Sequence, residues 1–156
     1  SVRLPCSNTG CSLICKPGCS YHLCKRCCIK RFKTDNECNV LAGEWYDPYS
    51  GDTFTISKEL DLDHIVPLKF AHSHGADKWS RERKAMFAND LDNLILAKAS
   101  LNRQKGAKGL TEWLPPNFLY RCEYIARFNS VMVKYELSYI PLEQIMINGM
   151  VKVCIK

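Results

Sequence analysis

The sequence predicts an α+β domain that carries a small cysteine-rich module at its N-terminal end. Three observations point there. Eight of the ten cysteines lie within the first 38 of 156 residues. The middle of the chain alternates short β-type runs with turn signals. The last third holds one long stretch whose apolar residues recur at three- and four-residue steps, the period of a helix. Apolar residues make up 46 % of the chain, which excludes a disordered polymer. The formal net charge is +6, from 22 Lys+Arg against 16 Asp+Glu. That charge permits a nucleic-acid partner but does not require one. No apolar run reaches membrane-spanning length, so no membrane partner is expected. Residues 1–6 lack the apolar segment of a signal peptide, which is expected to be absent or already removed.

The first segment, residues 1–38, has Pro5, Gly10, Pro17 and Gly18 and few large apolar side chains. It cannot fold on hydrophobic burial and needs crosslinks. Two kinds compete. Disulfides would place the protein in a secreted or periplasmic compartment, and the adjacent pair Cys27-Cys28 favours them. Structural zinc would place it in the cytoplasm, with Cys24 and Cys27 as one C-x2-C knuckle completed by Cys15, Cys19 or His22. Cys6, Cys11, Cys15, Cys19, Cys24, Cys27, Cys28 and Cys154 are the candidates for either. The segment is basic, with Lys16, Lys25, Arg26, Lys30, Arg31 and Lys33, and a short helix is expected over 21–33.

The second domain, residues 39–156, reads element by element. Gly43, Asp47-Pro48 and Ser50-Gly51 punctuate short β runs over 39–56. Residues 60–68 form a strand that runs into a loop at Pro67. Residues 79–89 have helical spacing, with Trp79, Arg83, Met86 and Phe87 on one expected buried stripe. Residues 94–96 are a short buried strand. A helix starts near Ser100, its expected N-cap, and runs to Lys105 before Gly106. Residues 118–135 form the long helix, its stripe made by Leu119, Cys122, Tyr124, Ile125, Phe128, Val131, Met132 and Tyr135. A last short helix is expected over 143–147.

The chemistry concentrates in Asp61-Leu62-Asp63-His64-Ile65-Val66-Pro67-Leu68. Alone, His64 reads as a core histidine with its nitrogens satisfied internally. Two stretches nearer the C-terminus change that reading: Asp92-Asn93-Leu94, then Asn102-Arg103-Gln104-Lys105-Gly106. A strand delivering Asp63 and His64 turns the two side chains to opposite sides. One can hold a metal while the other faces substrate. The returning strand brings Asn93 beside the histidine, and the helix presents Asn102 toward the metal of Asp63. A carboxylate and an amide oxygen are hard ligands suited to Mg²⁺ or Mn²⁺. An oriented histidine can act as general base on water, and metal plus base beside a phosphate hydrolyses a phosphodiester.

Five ordered blocks then carry a resemblance. They are Asp63-His64-Ile65-Val66-Pro67-Leu68, Phe87-Ala88-Asn89-Asp90-Leu91-Asp92-Asn93-Leu94, Asn102-Arg103-Gln104-Lys105-Gly106, Glu112-Trp113-Leu114-Pro115-Pro116 and Cys122-Glu123-Tyr124. Residues 36–140 resemble the HNH endonucleases of the ββα-metal (His-Me finger) superfamily. Within it they are similar to a subgroup of secreted bacterial and fungal nucleases related to the nuclease domain of GmrSD-type restriction enzymes. The resemblance implies a ββα-metal core with flanking helices. Asp63 and Asn102 would be metal ligands, His64 the general base, and Asn93 the residue orienting loop and imidazole. Lys105 would approach a substrate phosphate or help hold the site. Asn102 stands where other HNH enzymes use histidine. DNA is the implied substrate, RNA the alternative, with little sequence specificity and 5′-phosphate products. The resemblance also implies a Cys38–Cys122 disulfide.

Arg81, Arg83, Arg103 and Lys108 flank the blocks and read either as a solvated face or as phosphate contacts. His72 and His74 read as a surface loop, with a substrate contact as the alternative. Trp45, Trp79 and Trp113 read as scaffold, and Glu112 as either a second layer of the site or a helix-end carboxylate. Two other function classes stay open. One is a sequence-specific or toxin-type nuclease targeted by the N-terminal module, with an inhibitor or immunity protein as partner. The other is a nucleic-acid-binding protein whose nuclease core is vestigial.

Overall fold

The computed structural model describes residues 33–34 and 40–155, with side chains from residue 44 onward. The eight cysteines up to Cys38, the question of zinc or disulfide, and the helix expected over 21–33 (Lys33 excepted) lie outside the described residues. Three antiparallel strands, β1 (Lys33–Thr34), β2 (Val40–Tyr46) and β3 (Thr53–Ile56), form one sheet in that order. A second sheet pairs β4 (Leu60–His64) with β5 (Leu94–Lys98), also antiparallel. Among the described residues five α-helices follow the strands or join them: α1 (Leu68–Ser73), α2 (Arg81–Ala88), α3 (Ala99–Lys105), α4 (Phe118–Lys134) and α5 (Pro141–Cys154). The class is α+β, as expected.

The register of the second sheet decides what each face does. Asp61 pairs with Ala97, Asp63 with Ile95 and His64 with Leu94. Opposed residues share a face and successive residues alternate. Leu60, Leu62 and His64 therefore share one side, and Asp61 and Asp63 the other. On the first side Leu60 and Leu96 pack against Trp45 and Phe54, joining the two sheets. On the second, Ile95 and Ala97 enter the main core. Helix α3 follows β5 without a break, so the chain runs strand, strand, helix in contact.

Helix α4 closes the core. It buries Tyr120, Tyr124, Ile125, Phe128, Val131 and Met132 on one stripe, and Asn117 caps its start by accepting from the Leu119 N–H at 3.2 Å. Leu119, expected on that stripe, is exposed. Gly109 lets the following turn press on Phe70; a Cβ there would stand 2.3 Å from the ring.

Several expectations need correction. Met86 is 66 % exposed while Phe87 is buried, because α2, which begins at Arg81 under a Ser80 cap, turns only Phe87 fully inward. Ser100 does not cap α3; the helix starts at Ala99, straight from the strand. The last helix is 14 residues long, not five, with Pro141 at its first turn and Glu143 accepting from the Ile140 N–H at 3.1 Å. The long α5 carries Cys154 back beside α4, and Cys122 pairs with Cys154, Cα atoms 5.5 Å apart. Cys122 is therefore not the partner of Cys38, and Cys154 is not a crosslink of the N-terminal module.

Candidate active site

The site is built at the end of β4. Asp63, His64 and Asn102 line one open pocket of about 310 Å³, with Leu62, Pro67, Leu68, Lys69, Gly106 and Ala107 around its mouth. Adjacent strand residues reach it from the two faces of the sheet, and Asn102 reaches it from α3. Gly106, at φ +54°, turns the chain away directly after Lys105 and keeps that rim low.

His64 is held by a backbone carbonyl. Its Nε2 lies 2.8 Å from the oxygen of Ala88, the last residue of α2. A carbonyl only accepts, so Nε2 carries the proton and Nδ1 of the neutral ring keeps its lone pair. Asn93 does not bond the imidazole. It is fully buried, its Oδ1 accepts the Val66 N–H at 2.8 Å, and its Nδ2 donates to the Val66 carbonyl at 3.1 Å. With the Ile65 N–H donating to its carbonyl at 2.8 Å, it extends the strand pairing past His64 and fixes the loop. The orienting role expected of Asn93 thus divides: Asn93 holds the loop, and Ala88 holds the ring.

Asp63 is held from two sides. The Lys105 ammonium donates to its Oδ1 at 3.0 Å, stands 2.9 Å from its Oδ2, and also donates to the His64 carbonyl at 2.6 Å. The Tyr49 hydroxyl donates to Oδ2 at 2.6 Å. Asn102 and Lys105, three residues apart on α3, face the strand together. The Asn102 amide donates to Asp61 Oδ2 at 3.3 Å, and no other described residue bonds its oxygen. Burial draws the Lys105 ammonium below the usual lysine range, opposed by the Asp63 charge. Burial and then Asp63 hold the Tyr49 hydroxyl well above the ordinary tyrosine value.

Lys105 has no exposed side-chain surface, so it holds the carboxylate and the strand end and does not reach a substrate phosphate. Arg83 is spent elsewhere: it donates to the Tyr135 carbonyl and to Glu136 and lies over the Trp79 ring. Arg103 is exposed on α3, and Lys108 is exposed and donates to the Gln104 carbonyl. Neither lines the pocket. His72 is exposed, whereas His74 stacks on Phe70 and bonds Glu143, a packing role. Glu112 accepts from the Gly109 N–H and closes a turn. Trp113 meets Tyr49 and Tyr124 edge-on and donates to Gln104, as scaffold.

Sequence reading missed Tyr49 and Lys69 and gave Asp61, although inside the motif stretch, no role. Lys69 follows the motif by one residue and could have been found as a cation beside it. Asp61 shares the strand period of Asp63. Tyr49 carries no local signal, because its partner Asp63 lies beyond β3 and the turn into β4.

The donor chemistry fits a hard divalent ion. Two oxygen donors from different elements meet in an open pocket, leaving room for water and phosphate. Among the described residues no group of three or more His, Cys, Asp or Glu is placed to hold a metal such as zinc.

These features define an α+β protein with a carboxylate, an imidazole and an amide gathered where a strand pair meets its following helix. The chain belongs to the family of the GmrSD restriction endonuclease C-terminal domain, whose family model matches residues 23–147, and that family is of nuclease type. It is also 36 % identical over 124 residues to a protein of Arthroderma benhamiae described as an uncharacterized secreted protein. The match covers 78 % of this chain and 61 % of that protein, so the chain spans about three-fifths of its relative's length. No solved structure matches.

Proposed function

We propose that the protein is a metal-dependent endonuclease of the HNH, ββα-metal type that hydrolyses DNA phosphodiester bonds. The observation that carries this reading is the meeting of Asp63, His64 and Asn102 in one open pocket, with the His64 ring fixed by a carbonyl on Nε2. His64 Nδ1 takes the proton of the attacking water. Asn93 and Lys105 hold the loop and the strand end, so that the imidazole and the carboxylate keep their places. Asp63 and Asn102 would hold Mg²⁺ or Mn²⁺. Such an ion, when bound, supplies positive charge for the phosphate oxygens and the leaving 3′ oxygen. Lys69, at the mouth, offers a cation to the nucleic-acid backbone. Little sequence specificity and 5′-phosphate products are expected from the resemblance to HNH enzymes. The name of the fungal relative and the disulfide between Cys122 and Cys154 support a secreted protein.

The test is plasmid cleavage by the full chain. Nicking and linearisation are expected with Mg²⁺ or Mn²⁺, loss of both in EDTA, and 5′-phosphate ends that a ligase can reseal. Full activity on a metal-stripped sample would remove the metal from the reaction.

A further inference from the structure

We propose that Tyr49 is a positioning residue for Asp63, setting the direction in which that carboxylate presents itself to a divalent cation. The inference rests on the reading of Asp63 as a metal ligand and extends it to a residue outside the motif blocks.

Tyr49 is fully buried, and its place is over-determined. Its N–H donates to Asp47 Oδ1 at 3.0 Å, and its carbonyl accepts from the Asn117 N–H at 3.0 Å. Asp47 is itself fixed, its Oδ2 accepting the Ser50 N–H at 3.0 Å and the Ser50 hydroxyl at 2.6 Å. The ring sits between Trp113 and Tyr124, with centroids at 5.2 and 5.6 Å and edge-on geometry to both. A phenylalanine would fill this space equally well. What tyrosine adds is one hydroxyl, and the turn, the cap of α4 and two aromatic rings together aim it at a single acceptor, Asp63 Oδ2. Lys105 reaches both oxygens and cannot by itself choose between orientations of the carboxylate. Tyr49 breaks that symmetry by engaging Oδ2. Hydrogen-bond partners behind a metal ligand orient it, and their removal characteristically costs ten- to a hundredfold in metal affinity or activity.

The experiment compares Mn²⁺ binding, by electron paramagnetic resonance, in the full chain and in Tyr49→Phe, Asp63→Ala and Ser50→Ala. Tyr49→Phe is expected to melt cooperatively and to bind Mn²⁺ with a Kd raised by about tenfold or more. Asp63→Ala is expected to lose binding. Ser50→Ala slackens the turn with Tyr49 and Asp63 intact, and its Kd should rise in the same direction, by less than for the direct partner of the ligand. A merely structural tyrosine would lower the melting temperature and leave the Kd alone. An unchanged Kd in Tyr49→Phe beside lost binding in Asp63→Ala overturns the positioning role and leaves the site reading standing. If Tyr49→Phe fails to fold, an unchanged Kd in Ser50→Ala overturns it. Undiminished Mn²⁺ binding by Asp63→Ala overturns the site reading and this inference with it.

Discussion

Replacing Lys105 by Met tests how the site is held. The substitution keeps the unbranched stem and its volume and removes only the ammonium. Lys105 has no exposed side-chain surface, and Asp63 is 7 % exposed at its side chain. At 2.9 Å their attraction is gross about 6 kcal/mol for an effective dielectric of about 20. Desolvation of both groups consumes most of that, so the intact pair is nearly neutral in net terms. Breaking it is not neutral. Asp63 would keep the Tyr49 hydroxyl alone, as a buried carboxylate with no counter-charge, and the expected loss is about 3–5 kcal/mol. For a domain stable by about 5–15 kcal/mol that is about a fifth or more of the total. The double variant Lys105→Met with Asp63→Asn removes both charges and should recover at least about 2 kcal/mol of the loss, a coupling typical of residues in direct contact. Urea denaturation followed by tryptophan fluorescence is measured on the parent, on Lys105→Met, on Asp63→Asn and on the double variant. A loss below about 1 kcal/mol for Lys105→Met, or strictly additive losses in the double variant, would refute the reasoning. A Lys105 that served only to touch substrate phosphate would abolish cleavage and leave stability unchanged.

Non-reducing peptide mapping should recover Cys122 joined to Cys154 and no peptide joining Cys122 to Cys38. Replacing both by Ser should cost about 3–4 kcal/mol, the chain-entropy value for a separation of 32 residues. Alkaline pH should unfold the protein steeply. Burial raises the hydroxyls of Tyr49 and Tyr124 well above the tyrosine value, so the folded state binds more protons than the unfolded state once pH passes about 10. Their contribution is intact below pH 10 and falls as pH rises, by about 3 kcal/mol together at pH 11. The lowered Lys105 works in the opposite direction and saturates near its unfolded value. Equilibrium denaturation at pH 9, 10 and 11 gives the slope, and a flat profile would contradict the burial of these two hydroxyls.

Local periodicity was legible where an element buries a broad one-sided stripe. Helix α4 shows it best, because Tyr124, Ile125, Phe128, Val131 and Met132 repeat on one stripe over 17 residues. The strand end at Asp63-His64 and the helix bearing Asn102 and Lys105 were also legible, as short spacings between chemically distinctive residues. Contacts between distant segments were not. Nothing local tells that the Ala88 carbonyl meets His64 or that Tyr49 meets Asp63, since each depends on how a turn or helix end lies across the sheet. Helix α5 was read too short because Leu142, Ile145 and Met146 are exposed and do not make a one-sided stripe with Ile147. That shortening hid the return of Cys154 to Cys122, whereas the expected Cys38–Cys122 pairing rested on the family resemblance alone.

In the proposed function His64 does the proton transfer while its neighbours hold it in place. The direct measurement is the rate of DNA cleavage in Mg²⁺ by purified His64→Ala, taken beside its melting temperature and Mn²⁺ affinity. The account predicts a fall of about 10²–10⁴ in rate, as for loss of a general base, with fold and metal affinity nearly unchanged. Cleavage by His64→Ala at close to the parent rate would contradict it.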